Sequence, residues 1–222
     1  MHNTVKNLID LKEEVKKKID SLKNHTYPPV IIAVSKTFPM DHILPLIEYG
    51  HCHFGENKVQ EAMNKWTEIK TEKTDLKLHM IGKLQTNKVK QAVKLFDFIH
   101  SLDSLKLAKK ISEEQKKIKK RLKIFIQINI GNENQKSGIN IDELPNFYKT
   151  CINDYDLDVV GLMCLPPINL NPSTFYEKMN KAAQNLSLKE LSMGMSSDYI
   201  TALEFKATFL RIGSKIFGER IK

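Results

Sequence analysis

Eight short apolar runs, each followed by a polar loop and a stretch of helical periodicity, constrain what this chain can fold into. The runs fall at 30–35, 51–54, 76–81, 96–101, 123–129, 158–164, 190–193 and 208–212. The first, Val30-Ile31-Ile32-Ala33-Val34-Ser35, is β-branched and follows Pro28-Pro29, which marks a buried strand by length and composition. In the fifth, Ile124, Ile126 and Ile128 alternate as strand residues do. Between the runs apolar residues return every three or four positions. Val59, Ala62, Met63, Trp66 and Ile69 line one face of a helix over 57–70, and Leu105, Ala108, Ile111 and Ile118 one over 103–120. Shorter helices are expected at 41–49, 86–95, 142–153, 173–186 and 198–206, with a turn of helix near Ser214. Val5, Leu8, Leu11, Val15, Ile19 and Leu22 place one more helix before the first strand. Regular alternation of this kind predicts a parallel sheet with right-handed crossovers. Eight such units close naturally into a (β/α)8 TIM barrel, here with an extra N-terminal helix. An open doubly wound sheet is the alternative that periodicity leaves open. The chain has 222 residues and no Pro/Gly/Ser-rich linker, so the expected organisation is a single α/β domain, 1–222.

Several function classes drop out on composition. The longest aliphatic run has five residues, 30–34, far short of a membrane span. The first 23 residues mix Lys with Asp10, Glu13, Glu14 and Asp20, contain no Arg, and lack the apolar core of a secretory signal. The expectation is a cytoplasmic protein. Cys52, Cys151 and Cys164 are odd in number and widely spaced, which suggests neither a disulfide framework nor a CxxC site. The formal net charge is +9, but of 35 basic residues only Arg121, Arg211 and Arg220 are arginine. The lysines sit mostly on amphipathic stretches and read as solvated helix faces, so no specific nucleic-acid partner is expected.

The ends of the strands carry the chemistry. In a parallel barrel the carboxyl ends share one face, and that face holds the active site. Lys36 follows the first apolar run. A lysine at such a rim loses hydration, which favours the neutral amine able to attack a carbonyl and form a Schiff base. A lysine whose head merely reaches into water is the other reading. After the seventh run comes Gly194-Met195-Ser196-Ser197, and after the eighth Gly213-Ser214; glycine amides and serine hydroxyls opening a helix make an anion site. Ordinary turn glycines with serine caps would leave the same letters. Taken together, an amine at strand one and a phosphate cradle at strands seven and eight would face each other across the mouth. Pyridoxal 5'-phosphate, an aldehyde carrying a phosphate, fits both. His51 and His53 alternate on one strand face but supply too few ligands for zinc, so no metal is expected.

The chain also resembles a known family, the pyridoxal phosphate homeostasis proteins, whose barrel is that of the fold type III enzymes and of the alanine racemase N-terminal domain. The resemblance runs from the first helix to Arg220. It rests on Ala33-Val34-Ser35-Lys36-Thr37, Phe54-Gly55-Glu56-Asn57, His79-Met80-Ile81-Gly82 with Leu84-Gln85 and Asn87-Lys88, Gln127-Ile128-Asn129, Lys136-Ser137-Gly138, Gly161-Leu162-Met163, Ser192-Met193-Gly194-Met195-Ser196, and Arg211-Ile212-Gly213-Ser214 with Ile216-Phe217-Gly218. Each segment alone is weak; all of them in this order are specific.

The resemblance implies that Lys36 forms the Schiff base with pyridoxal 5'-phosphate, that Ser196, Gly213 and Ser214 surround the phosphate, and that Asn57 lies near the ring. It implies that Arg211 faces the pyridine nitrogen. An arginine is always protonated, so it would donate to that nitrogen and leave the ring a weaker electron sink. Lys58, Lys83, Lys206 and Lys215 depart from the usual pattern around the rim. The implied function is that of a binding protein more than of an enzyme, one that takes part in intracellular pyridoxal phosphate homeostasis and supplies cofactor to client enzymes; the lack of an obvious interface stripe in the sequence favours a monomer. The alternative is a racemase or lyase of low activity. Alanine racemases of this fold type add a β-domain, and a partner tyrosine serves as second base; this chain reaches its end at the last barrel segment.

Overall fold

The computed structural model describes residues 1–22, 28–133 and 135–219. Eight strands form one parallel sheet closed in chain order: β1 (Val30–Val34), β2 (His53–Glu56), β3 (Lys77–Met80), β4 (Phe98–Leu102), β5 (Lys123–Ile128), β6 (Asp158–Cys164), β7 (Glu190–Ser192) and β8 (Phe209–Ile212). Closure is made by β8 against β1, with Val30 opposite Phe209 and Ala33 opposite Ile212. That pairing decides for the barrel over the open sheet.

The helices are α1 (Asn3–Ser21), α2 (Met40–Glu48), α3 (Val59–Glu72), α4 (Val89–Leu95), α5 (Leu105–Lys117), α6 (Leu144–Asn153), α7 (Ser173–Asn185), α8 (Tyr199–Glu204) and α9 (Ser214–Phe217). Alternation along each strand builds two cores. In β5 the outward Ile124, Ile126 and Ile128 join the helices, while the inward Phe125 joins Ile32, Met163 and Phe209 inside the barrel. Phe54 and Trp66, ring centroids 4.9 Å apart, are fully buried in the outer core. Full burial of a large apolar side chain stabilises by about 1.5–3 kcal/mol.

The extra helix has a specific place. α1 packs against α2, α8 and α9, beside the seam where the barrel closes. Asn7 donates to the Ile216 carbonyl at 3.0 Å, and Glu14 meets Lys215 at 2.7 Å. The helix before the barrel therefore braces the last turn of the chain.

Some boundaries differ from those read in the sequence. β2 lies two residues later than expected, because pairing runs from His53 opposite Lys77 to Glu56 opposite Met80; His51 and Cys52 lie outside the strand. The helix expected at 86–95 opens with a 3-10 turn, Thr86–Lys88. α5 ends at Lys117, so Ile118 is 39% exposed and not part of the buried face; Lys119, at φ 53°, turns the chain. Pro39, not Asp41, occupies the N-cap position of α2, with no side-chain capping bond; Asp41 lies in the first turn, and the helix accommodates Pro45. Among the described residues no helix is long and apolar enough to cross a membrane.

Candidate functional site

An open cleft of about 710 Å³ lies at the carboxyl ends of the strands. Its walls include Val34, Ile81 and Leu165, and all six residues singled out in the sequence line it: Lys36, Asn57, Ser196, Arg211, Gly213 and Ser214. They come from the ends of β1, β2, β7 and β8, and only the closed barrel brings them together.

Lys36 is half-buried in the turn that leaves β1. The next residue, Thr37, has φ 67°, an uncommon conformation for a β-branched side chain. Its N–H donates to Glu61 Oε1 at 2.6 Å, which holds the turn. Beneath it lies a charged cluster that the sequence reading missed. Lys65 donates to the Ser35 carbonyl at 2.9 Å and pairs with Glu56 at 2.7 Å and Glu61 at 3.0 Å. Fully buried Glu56 also accepts from Ser35 Oγ at 2.8 Å and Trp66 Nε1 at 3.0 Å. The signal available was a Glu inside Phe54-Gly55-Glu56-Asn57, at a strand end, with a Glu61–Lys65 pair one helical turn apart. Burial pushes the Glu61 carboxyl up, but the bonds from Thr37 and Lys65 outweigh it and hold the carboxyl below its ordinary range.

Asn57 follows β2 and is pressed by the loop after β3. A Cβ on Gly82 would stand 2.4 Å from the Asn57 carbonyl oxygen, so only glycine allows the two loops to touch.

Across the cleft, Gly194 has φ +91°, and a Cβ there would stand 2.7 Å from Ala202 Cβ. This turn carries Ser196 to the cleft. Ser196 Oγ accepts from the Gly213 and Lys215 amides at 3.3 and 3.4 Å. α8 has six residues and α9 four, so the dipole of either helix is slight. The donors on offer are separate amides and hydroxyls. Lys215 also lines the cleft, but its ammonium is held by Glu14 at 2.7 Å and Tyr199 Oη at 2.8 Å. Those two bonds push the Lys215 pKa up. Glu14 is held below its ordinary range, chiefly by Lys215 and next by Tyr199.

Arg211, only 4% exposed, forms the floor. Nη1 donates to Ser192 Oγ at 2.7 Å, and Nη2 donates to the Cys164 carbonyl at 2.8 Å. Burial works against its charge. Among the described residues no carboxylate lies within salt-bridge distance of it. The guanidinium has five N–H donors, two of them engaged by these bonds, so an electron-rich acceptor in the cleft suits it.

The remaining rim lysines are now placed. Lys58 stands at the N-cap position of α3 without a capping bond, and Lys58, Lys83 and Lys88 line a smaller neighbouring depression that shares Asn57 with the cleft. Lys206 has φ 64°, which explains why glycine suits that position. His51 is not the strand neighbour of His53 that alternation suggested; its Nε2 donates to the His53 carbonyl at 2.9 Å. Among the described residues no group of three His, Cys, Asp or Glu is placed to hold a metal ion. Arg220 lies outside the described residues.

Comparison with known proteins adds the following. Residues 9–221 match the family described as alanine racemase, N-terminal domain. The pyridoxal phosphate homeostasis protein of Pasteurella multocida is 33% identical over 224 residues, covering 96% of each chain. PipY of Synechococcus elongatus, solved with PLP bound, is 33% identical with a TM-score of 0.80, covering 92% of this chain and 100% of that one. An alanine racemase of Clostridium difficile shares the fold at 14% identity, with a TM-score of 0.73, covering 99% of this chain and 57% of the racemase.

Proposed function

The chain belongs to the family of the pyridoxal phosphate homeostasis proteins, and from that premise we propose that it binds pyridoxal 5'-phosphate covalently through Lys36 and serves intracellular cofactor supply. The observation that carries this reading is the convergence of Lys36, Arg211 and the Ser196–Gly213–Ser214 loops on one cleft. The residues present fit the group. Ser196, Ser214 and the Gly213 amide would hold the phosphate, Lys36 would supply the amine, Asn57 would border the ring, and Arg211 would meet the ring nitrogen. When bound, pyridoxal phosphate supplies an aldehyde for the amine and a ring that withdraws electrons. Arg211, which stays protonated, would donate a hydrogen bond to the ring nitrogen, which would then remain unprotonated and keep that withdrawal weak. The Glu56–Lys65 cluster fixes the turn of Lys36, and Val34, Ile81 and Leu165 limit water at the base.

In this reading the whole of 1–222 is one cofactor-binding unit, a cytoplasmic monomer that passes cofactor to pyridoxal-phosphate-dependent enzymes. Racemisation needs two opposed bases, and the reading assigns one amine. The test is the absorbance spectrum of the protein with added pyridoxal phosphate, before and after borohydride, followed by peptide mapping. A visible band converted to a reduced pyridoxyl adduct on Lys36 is expected, with no D-isomer formed from L-amino acids. No band and no adduct would overturn the reading. Lys36-dependent turnover at an enzymatic rate would replace it with the racemase.

A further inference from the structure

The barrel interior holds a row of polar groups in otherwise apolar surroundings. His53 Nδ1 lies 3.0 Å from His79 Nε2, and His79 Nδ1 lies 2.9 Å from His100 Nε2. His100 Nδ1 lies 2.8 Å from Ser192 Oγ, which accepts from Arg211. The row crosses from β2 through β3, β4 and β7 to β8. His79 lies flat on Phe98 and His100 flat on Phe125, each at 4.2 Å between ring centroids, with Phe209 close to both imidazoles. His79, His100 and Ser192 are fully buried. One end is Arg211, in the cleft already described. The other is His53, which lines a separate cleft of about 660 Å³ on the opposite face of the barrel.

The donor directions follow from the Arg211 end. A guanidinium only donates, so Ser192 Oγ accepts from it and has its own proton to give. Its other partner is His100 Nδ1, which must then be the bare nitrogen. A neutral imidazole with a bare Nδ1 carries its proton on Nε2, so His100 donates to His79 Nδ1. The same rule makes His79 donate to His53 Nδ1, leaving the His53 Nε2 proton at the far end. In the reverse direction the Ser192 proton would find no acceptor among the described contacts. Burial is the main force keeping all three imidazoles uncharged. The neighbouring charges of Lys70, Lys77 and Arg211 and the other histidines add to it, while Asp97 opposes it at His53.

We propose that His53, His79, His100 and Ser192 form a one-directional relay, with every imidazole protonated on Nε2, that stands in place of a carboxylate counter-ion and positions Arg211 toward the cleft. A carboxylate there would cancel the guanidinium charge. A row of neutral dipoles orients the group and leaves its whole charge for a ligand. It also ties Arg211 to a second opening, because a proton added at His53 Nδ1 meets the His79 Nε2–H and can be accommodated only if the row reverses. His100 and Ser192 are then positioning residues, acting through Arg211. The ligand side of this inference rests on the function proposed above; the tautomers do not.

Two measurements test it. Nitrogen-15 NMR of the cofactor-free protein between pH 6 and 8 should show Nε2 protonated and Nδ1 bare in His53, His79 and His100. A protonated Nδ1 on any of them would overturn the relay, whether or not the protein takes up cofactor. The second measurement uses Ser192→Ala, which removes one atom, and His100→Phe. Added pyridoxal phosphate should bind each about tenfold more weakly, and the pH at which its visible band changes should move, while the borohydride adduct still forms on Lys36. Wild-type affinity and an unmoved pH profile in both variants would sink the positioning role even if the tautomers are right. Failure of the wild-type protein to take up pyridoxal phosphate would count against the proposed function, and the NMR result would still decide the relay.

Discussion

Lys65 Nζ lies 2.7 Å from Glu56 Oε1, and the pair sits directly under the turn that carries Lys36. Glu56 is fully buried, and its second oxygen, Oε2, has no partner among the described residues. Removing one member of a buried pair strands the other charge and costs about 3–5 kcal/mol. Glu56→Gln keeps an acceptor for Ser35 and Trp66, so a loss of about 3 kcal/mol in urea unfolding is expected. Glu56→Gln combined with Lys65→Met should recover about half of it, since the buried ammonium leaves with its buried partner and only Glu61, which is more exposed and keeps the Thr37 N–H, loses its lysine. A double variant as unstable as the sum of the two single ones would show that the pair does not act as a unit.

Lys206 holds φ 64° between α8 and β8. The left-handed region costs a side-chain-bearing residue roughly 1–2 kcal/mol, part of which glycine returns through its freer unfolded chain. Lys206→Gly should therefore stabilise the fold by about 0.5–1 kcal/mol, read as a rise in Tm. A fall in Tm would mean that the lysine side chain contributes more than its backbone loses.

The same position shows how far the sequence could be read. A lysine where glycine is usual was visible; the φ angle that gives it meaning was not. The barrel was legible because β-branched runs and helical periods alternate eight times; Lys36, Ser196, Gly213 and Ser214 were legible because they stand after strand ends, while Asn57 and Arg211, the latter inside the last strand, took their roles from the family resemblance. The histidine row was not legible. Its members lie 26, 21 and 92 residues apart along the chain, and period-two alternation gives two strand faces without saying which one turns inward. In β5 the conspicuous face, Ile124, Ile126 and Ile128, is the outer one. The Glu56–Lys65 pair escaped for a different reason: a buried ion pair looks in sequence like any surface Glu and Lys.

His51 gives the stability a pH dependence. Burial, then the Lys12 charge, push its pKa down to about 4, against the opposing effect of its bond to the His53 carbonyl. An unfolded histidine titrates near ~6.5. Below that pH the unfolded chain binds the extra proton and the folded chain does not, so stability falls as pH falls. The contribution is fully present above about 6.5 and is lost progressively toward pH 4, reaching about 3 kcal/mol. His79 and His100 act in the same direction. Urea midpoints should be flat from about pH 7 to 8 and drop below about 6.5. His51→Gln can keep the bond to the His53 carbonyl and should drop less steeply. Equal slopes for the two proteins would place the acid sensitivity elsewhere.

Gly213 separates folding from anion binding. Its φ of −110° demands no glycine, and a Cβ would meet Val34 Cβ at 3.6 Å, an ordinary contact. The barrel should therefore tolerate Gly213→Ala and Gly213→Asp, each with a Tm within a few degrees of the wild type. The cleft should not tolerate both alike. The Gly213 and Lys215 amides point to Ser196 Oγ, where the phosphate is proposed to lie beside them. An aspartate puts a negative charge against a dianion in a cleft where the Lys215 ammonium is already held by Glu14. Gly213→Asp should weaken pyridoxal phosphate retention at least about tenfold, or about 1.4 kcal/mol. Gly213→Ala, which adds bulk and no charge, should weaken it less. Dialysis followed by absorbance measures both. Equal retention by Gly213→Asp and wild type would show that the phosphate lies away from the β8 loop, even if Lys36 carries the adduct.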